Sequence, residues 1–234
     1  MLALMLAGLV RYLDHCGLNN SFHQRASSAT GQLCCMTGSG LGSVSSTAAA
    51  LHHCSSMLQL LNDPKCNVFG CLEPATQNVA INALCSLTLT TDWGLAGVQQ
   101  DIDSAESIDR TSMMNMLMVT ADLYVAMKPF DAAQEWAVLR TEEFHSKGDL
   151  AKEWYEQDDI SDMSRLAKAQ LDHMDNIVLP HLQRMVRIAP AVQDLLMAAK
   201  ANRQKWDMLS TPHAEEVGGL LSPAPTKYRH HAPR

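Results

Sequence analysis

What this sequence most lacks is a strand. Across its 234 residues no segment alternates apolar and polar side chains with the period of two that a half-buried strand needs, so the pattern predicts an all-α chain. Basic clusters are missing too. With a formal net charge of −7 and no grouped Lys or Arg before the last few residues, nothing tracks a phosphate backbone or an anionic lipid surface. The seven cysteines are odd in number and show no repeated CxxC spacing. That argues against a disulfide framework or zinc knuckle and points to reduced thiols in a cytoplasmic protein. The apolar start, MLALMLAGLV, has no basic residue before it and no small-residue cleavage site soon after it, so it does not read as a signal peptide. It is also well short of the ~20 apolar residues that cross a bilayer. GSGLGS at 38–43 has neither a strand before it nor a P-loop lysine after it, which removes a phosphate-binding loop.

What is present is organised around TSMMNMLMVTADLYVAMKPF, Thr111 to Phe130. Its methionines, leucines and valines surround a 3.6-residue period, which predicts a helix buried on all sides, with Asp122 as its single acid. A buried carboxylate costs several kcal/mol unless paired, hydrogen-bonded or metal-bound, so Asp122 needs a partner elsewhere in the chain. A structural role, capping a helix or pairing with an arginine, and a role as metal ligand both satisfy that need.

In chain order, Leu2 to Leu13 reads as a buried helix that starts abruptly at Met1, as if cut relative to its domain, and leads into the turn at Asp14 to Phe22. Residues 26–47 read as loop. Ala48 to Leu61 predicts a helix carrying His52 and His53. Adjacent helix positions point about 100° apart, so the pair suits one satisfied buried histidine better than a shared metal. Asn62-Asp63-Pro64 ends that helix, and Ala75 to Thr91 predicts the next, followed by Asp92. Asp101, Asp103, Glu106 and Asp109 read as a solvated surface. Asp131 is the expected N-cap of a helix to about Phe144. Ser164 to Ile188 predicts a long helix kinked at Pro180, with Leu166, Ala169, Gln170, His173, Ile177 and Leu182 on one stripe. A last helix runs from Pro190 to about Leu209 with Trp206 packed inward. Residues 1–209 thus form one expected domain and 210–234 a flexible tail.

Seven of these segments together resemble the catalytic domain of the class I cyclic nucleotide phosphodiesterases, closest to the forms that carry GAF domains. They are LDHCGLNNSF at 13–22, HHCSSMLQLLN at 52–62, CNVF at 66–69, LTTDW at 89–93, MLMVTADLYVAMKPF at 116–130, EEFHSKGD at 142–149 and ANRQKW at 201–206. The resemblance implies an all-helical body whose pocket holds zinc and usually magnesium. It also implies hydrolysis of 3′,5′-cyclic AMP or cyclic GMP to the 5′-monophosphate, in cyclic nucleotide signalling. Residue by residue, Asp122 matches a metal-binding aspartate, Gln170 the glutamine that bonds the purine edge, and Phe144 an aromatic lining the pocket. His52, His53 and Asp92 match polar positions behind the metals.

The departures point the other way. The family's HNxxH segment, source of the acid histidine and of a zinc ligand, would precede Met1. Its His-Asp ligand pair is replaced by Arg11 and Tyr12, the acid beside its histidine run by Ala50, and its aromatic clamp by His173. Arg140 stands where the family is usually apolar. Of four protein ligands only Asp122 matches. A guanidinium stays protonated and repels a dication, and Arg11 is a candidate to pair with Asp122 in the metal's stead. The expectation is a family member with impaired or lost catalysis. The alternatives are surviving hydrolysis with metals held by Asp122, Asp14, His15, His52 or His53 in an altered arrangement, or a nucleotide-binding or dimerisation module.

Overall fold

The computed structural model describes residues 1–15, 17, 48–90, 108–148 and 163–211, and every regular element among them is helical. In chain order these are α1 (Leu2–Val10), α2 (Ala48–Asn62), α3 (Pro74–Thr90), α4 (Arg110–Asp122), a 3₁₀ segment (Leu123–Met127) and α5 (Phe130–Gly148). Then come α6 (Met163–His173), a π-helical turn (Met174–Val178), α7 (Leu179–Ile188), a 3₁₀ turn (Pro190–Val192) and α8 (Gln193–Ser210). The expected loop at 26–47, the acids at 101–107 and the tail beyond Thr211 lie outside the described residues. The chain divides into two compact units, Met1–Asp122 and Leu123–Arg234.

In the first unit, α1 packs on α3 and α4, and α2 on α3, around Ala7, Met57, Leu61, Phe69, Leu84, Leu87 and Met118. Burying side chains of this size stabilises by about 1.5–3 kcal/mol each. Phe69 reaches this core from the α2–α3 connection, which is built of turns. The Asp63 carboxylate accepts the Lys65 N–H at 2.9 Å, and the Asn67 side-chain oxygen accepts the Phe69 N–H at 3.0 Å. Gly70 belongs here for lack of room, since a Cβ on it would come within 3.2 Å of the Asn67 carbonyl oxygen. Asp109 caps α4 by accepting the Ser112 N–H at 2.7 Å, and that bond holds its carboxyl below the usual aspartate range.

Two expectations of uniform burial are corrected in this part of the chain. The run from Thr111 to Phe130 is not one helix buried on all sides, because Leu117 and Tyr124 are exposed and α-helix gives way to 3₁₀ after Asp122. Met116, Val119, Thr120, Leu123 and Met127 are buried at i, i+3, i+4, i+7 and i+11 and Met118 is buried on another side, while the exposed Leu117, Ala121 and Tyr124 fall at i, i+4 and i+7 along one strip. Pro129, which has no N–H to donate and restricts Lys128, then stops the run. Likewise α1 buries Ala7 completely but exposes Leu2, Met5 and Leu9, and it ends at Val10 rather than Leu13.

In the second unit α8 packs along α6 and α7. Trp206, 2% exposed, meets Phe130 edge to face with ring centroids 4.9 Å apart. Asn202, also buried, donates from its side-chain nitrogen to the carbonyls of Ala126 and Lys128, both at 2.8 Å. Those carbonyls lie where the 3₁₀ segment runs out before Pro129, so one amide satisfies two groups that helical bonding leaves open. Asp131 is not the N-cap of α5 but lies inside its first turn, where its charge complements the helix dipole.

The long helix predicted from Ser164 is interrupted. Pro180 cannot donate a helical N–H, and the chain absorbs the loss as a π-helical turn immediately before α7. The buried face runs through Ala167, Met174, Val178, His181, Leu182 and Met185. The expected stripe is therefore displaced. Ala169 is exposed, and Gln170, His173 and Ile177 are half-buried along the flank of that face.

Candidate functional site

The polar cluster of the first unit begins where α1 runs out. After Val10 the backbone tightens, with the Leu13 N–H on the Val10 carbonyl at 2.9 Å and the His15 N–H on the Tyr12 carbonyl at 3.2 Å. Asp14 then takes a left-handed conformation at φ 57°, which aspartate tolerates better than most residues. The reversal sets Asp14 against α2, where His52 Nε2 lies 2.9 Å from Asp14 Oδ2. His53, one position on, turns inward and donates from Nδ1 to the Leu13 carbonyl at 2.6 Å. The two adjacent histidines thus separate as helical geometry requires, His53 being 4% exposed and His52 facing the rim.

Around His53 the rings close up. His15 stacks on it at 5.5 Å between centroids, and Tyr12 stands edge-on to both. The Gly17 N–H donates to His15 Nδ1 at 3.0 Å, which fixes the ring nitrogen that accepts. Burial pushes the His53 pKa down, against the upward pull of its bond to Leu13, and His15, His52 and Arg11 push it down further. His53 is therefore a neutral structural histidine in the neutral pH range.

Asp122, at the C-terminal end of α4, receives Arg11. Arg11 Nη1 lies 2.5 Å from Asp122 Oδ1, with the two side chains 9% and 14% exposed. The Tyr12 hydroxyl donates to the same oxygen at 3.2 Å, and Arg11 Nη2 donates to the Tyr12 hydroxyl at 2.7 Å. The guanidinium carbon also sits 4.2 Å from the Tyr12 ring centroid. Arg11, Tyr12 and Asp122 thus make a closed, charge-neutral triad. Arg11 Nε is buried with no hydrogen-bond partner among the described residues.

This donor set does not fit a divalent metal. One acid oxygen is already held by a cation, the neighbouring guanidinium would repel a second, and tyrosine replaces the expected carboxylate. His52 and Asp14 are joined to each other, with side chains 38% and 73% exposed. Among the described residues no group of three His, Cys, Asp or Glu side chains could hold a metal ion.

The other candidates belong elsewhere. Gln170 and His173 lie on α6 of the second unit, half-buried and one turn apart. Arg140 is exposed on α5. Phe144 lies in α5 by its backbone, and its side chain is outside what the structure describes. Asp92 is outside the described residues. Ala50, where the family pattern has an acid, is buried in α2. Sequence reasoning named Tyr12 as a substituted metal ligand and His15 as an alternative one, but not as rings packed on His53. Their ring contacts with His53 join positions about forty residues apart, and only the LDHCG segment hinted that polar groups gather there.

Residues 1–199 match the family model described as 3'5'-cyclic nucleotide phosphodiesterase. A dual 3',5'-cyclic-AMP and -GMP phosphodiesterase 11A of Takifugu rubripes is 26% identical over 96% of this chain and 26% of its own length. The phosphodiesterase 11 of Drosophila melanogaster is 27% identical over 88% of this chain and 14% of its own. The chain therefore spans about a quarter or less of these curated relatives. A solved structure of LmjPDEB1 in complex with IBMX superposes with a TM-score of 0.75 at 29% identity, over 93% of this chain and 65% of that one. The phosphodiesterase domain of Salpingoeca rosetta rhodopsin phosphodiesterase gives a TM-score of 0.78 at 22% identity, over 94% and 69%, a likeness of fold.

Proposed function

This chain belongs to the 3',5'-cyclic nucleotide phosphodiesterase family, and from that premise we propose that it has lost most of the family's hydrolytic activity because a fixed cation stands on its one matching metal ligand. The observation that carries the reading is the Arg11–Asp122 contact at 2.5 Å. A divalent metal contributes by lowering the pKa of bound water to about 7 and by neutralising the phosphate. A guanidinium supplies the positive charge without the acidified water. It holds Asp122 neutralised and gives the site nothing with which to generate a nucleophile.

The test is metal content by mass spectrometry after dialysis against zinc and magnesium, paired with hydrolysis of cyclic AMP and cyclic GMP. The expected result is substoichiometric zinc and a rate near background. Stoichiometric zinc together with a chelator-sensitive rate overturns the reading. The double substitution Arg11→His, Tyr12→Asp replaces the cation and the phenol by metal donors, and its zinc retention should exceed that of the parent chain.

A second reading, nucleotide binding without turnover, draws support from Gln170, half-buried on α6, and is opposed by His173, one turn on, which stands where the family has a stacking aromatic. An amide can pair with a purine edge by donating and accepting. Calorimetry with cyclic AMP and cyclic GMP tests it, and no heat at millimolar nucleotide would remove it.

A further inference from the structure

Two thiols meet in the seam between α2 and α3, away from Asp122. Ala50, Cys54, Met57 and Leu61 repeat at i, i+4, i+7 and i+11 along the buried face of α2, which packs on α3. That period places Cys54, 6% exposed, against the backbone of α3, where its thiol donates to the Cys85 carbonyl at 3.7 Å. Cys85 is half-buried, and its own thiol is a hydrogen-bond partner of the Cys54 thiol. Both cysteines are free, and they stand 31 positions apart in the chain. A pair of sulfurs in contact has few uses. Structural zinc takes four ligands, and among the described residues no third His, Cys, Asp or Glu side chain joins these two. Oxidation of one sulfur by the other needs no third group.

We propose that Cys54 and Cys85 form a reversible oxidation site, closed to a disulfide between α2 and α3 by a small aliphatic disulfide of the glutathione class. Cys85, the less buried sulfur, loses its proton and attacks one sulfur of the small disulfide. The S–S bond of the reagent breaks, and the expelled thiolate takes up a proton. Cys54 then loses its proton and attacks Cys85 Sγ, which breaks the mixed disulfide and releases a second small thiol. Two electrons and two protons pass from the cysteine pair to the reagent. Burial raises both thiols, Cys54 to about 12, so thiolate is scarce at neutral pH and closure is slow. Contact between the two sulfurs offsets this in the second step, which is intramolecular. The closed bond restricts the unfolded chain across 31 positions, and so stabilises the first unit. None of this depends on catalysis or on nucleotide binding.

The test is to equilibrate the full chain at pH 8 with excess oxidised glutathione, unfold it in iodoacetamide, and map its peptides by mass spectrometry without reduction. Cys54 and Cys85 should be recovered as one cross-linked pair that dithiothreitol separates. The cross-linked chain should unfold at a higher urea midpoint than the reduced chain, and dithiothreitol should reverse the rise. Cys54→Ser, which nearly keeps the size of the side chain, should leave Cys85 carrying a single glutathione. Recovery of both cysteines as alkylated thiols from a chain that was folded by circular dichroism overturns the proposal. So does a bond from either one to any other cysteine, or a Cys54–Cys85 bond that forms only when urea is present. A midpoint that does not rise overturns the claim that the bond closes without parting the two helices.

Discussion

Arg11 and Asp122 lie at opposite ends of the first unit's sequence and meet at 2.5 Å, each more than four-fifths buried, with the Tyr12 hydroxyl bonded to both. Opposite charges this well removed from water are weak evidence for net stabilisation, because desolvation offsets attraction. The asymmetry between keeping and breaking the pair is what matters.

Removing one partner should therefore cost more than removing both. Arg11→Ala leaves Asp122 with only a tyrosine, and a loss of about 3 kcal/mol is expected. Arg11→Leu combined with Asp122→Asn removes both charges and should recover at least half of it. Urea midpoints of the parent and the two variants decide this. Equal losses would mean that packing, rather than charge, sets the cost.

Stability should depend on His53 below neutral pH. Its pKa is lowered in the folded chain, first by burial, so in the window between that value and the ordinary 6.5 the unfolded chain binds the extra proton. The stabilising effect of a neutral His53 is complete above pH 6.5 and is lost as pH falls through the folded value. Unfolding midpoints at pH 7.5 and 5.5 should drop less in His53→Gln than in the parent. An equal drop would place the acid sensitivity in other groups.

Asn202 should be among the most sensitive polar positions. Asn202→Ala strands the carbonyls of Ala126 and Lys128, now each accepting the amide at 2.8 Å. The expected cost is about 1–3 kcal/mol. Asn202→Asp should not rescue it, because an ionised carboxylate cannot donate. Thermal unfolding of both variants is the check.

The thiols should separate cleanly under alkylation. Cys54 is buried, its thiol pushed up to about 12 by burial and by the neighbouring Cys85, whereas Cys66 and Cys71 are exposed. Mass mapping after brief iodoacetamide treatment at pH 8 should find Cys66 and Cys71 modified and Cys54 intact until the chain is unfolded. Labelling of Cys54 at the rate of Cys66 would show that α2 and α3 part easily.

The helical class, and the breaks near Asn62, Pro129 and Pro190, are legible in the sequence because each rests on local chemistry: apolar periodicity, or a residue that cannot donate. Faces are less legible. The period of the Thr111 run suggests full burial, yet Leu117 and Tyr124 point outward. Methionine and leucine occupy both sides of that helix, so composition alone marks no inner face. The stripe through Gln170 is displaced in the same way, since the alanines of α6 stand on both sides of it, Ala167 buried and Ala169 exposed.

By itself the sequence determined that Asp122 needs a partner and that one of His52 and His53 is buried, because desolvation penalties and the 100° step of a helix hold in any fold. Only the tertiary structure decided which partner and which histidine. The Tyr12 hydroxyl reaches Asp122 across 110 positions and His53 finds the Leu13 carbonyl across 40, separations over which no local propensity acts. Packing of α1 against α3 and α4 brings Arg11, rather than any other cation, within reach of the carboxylate.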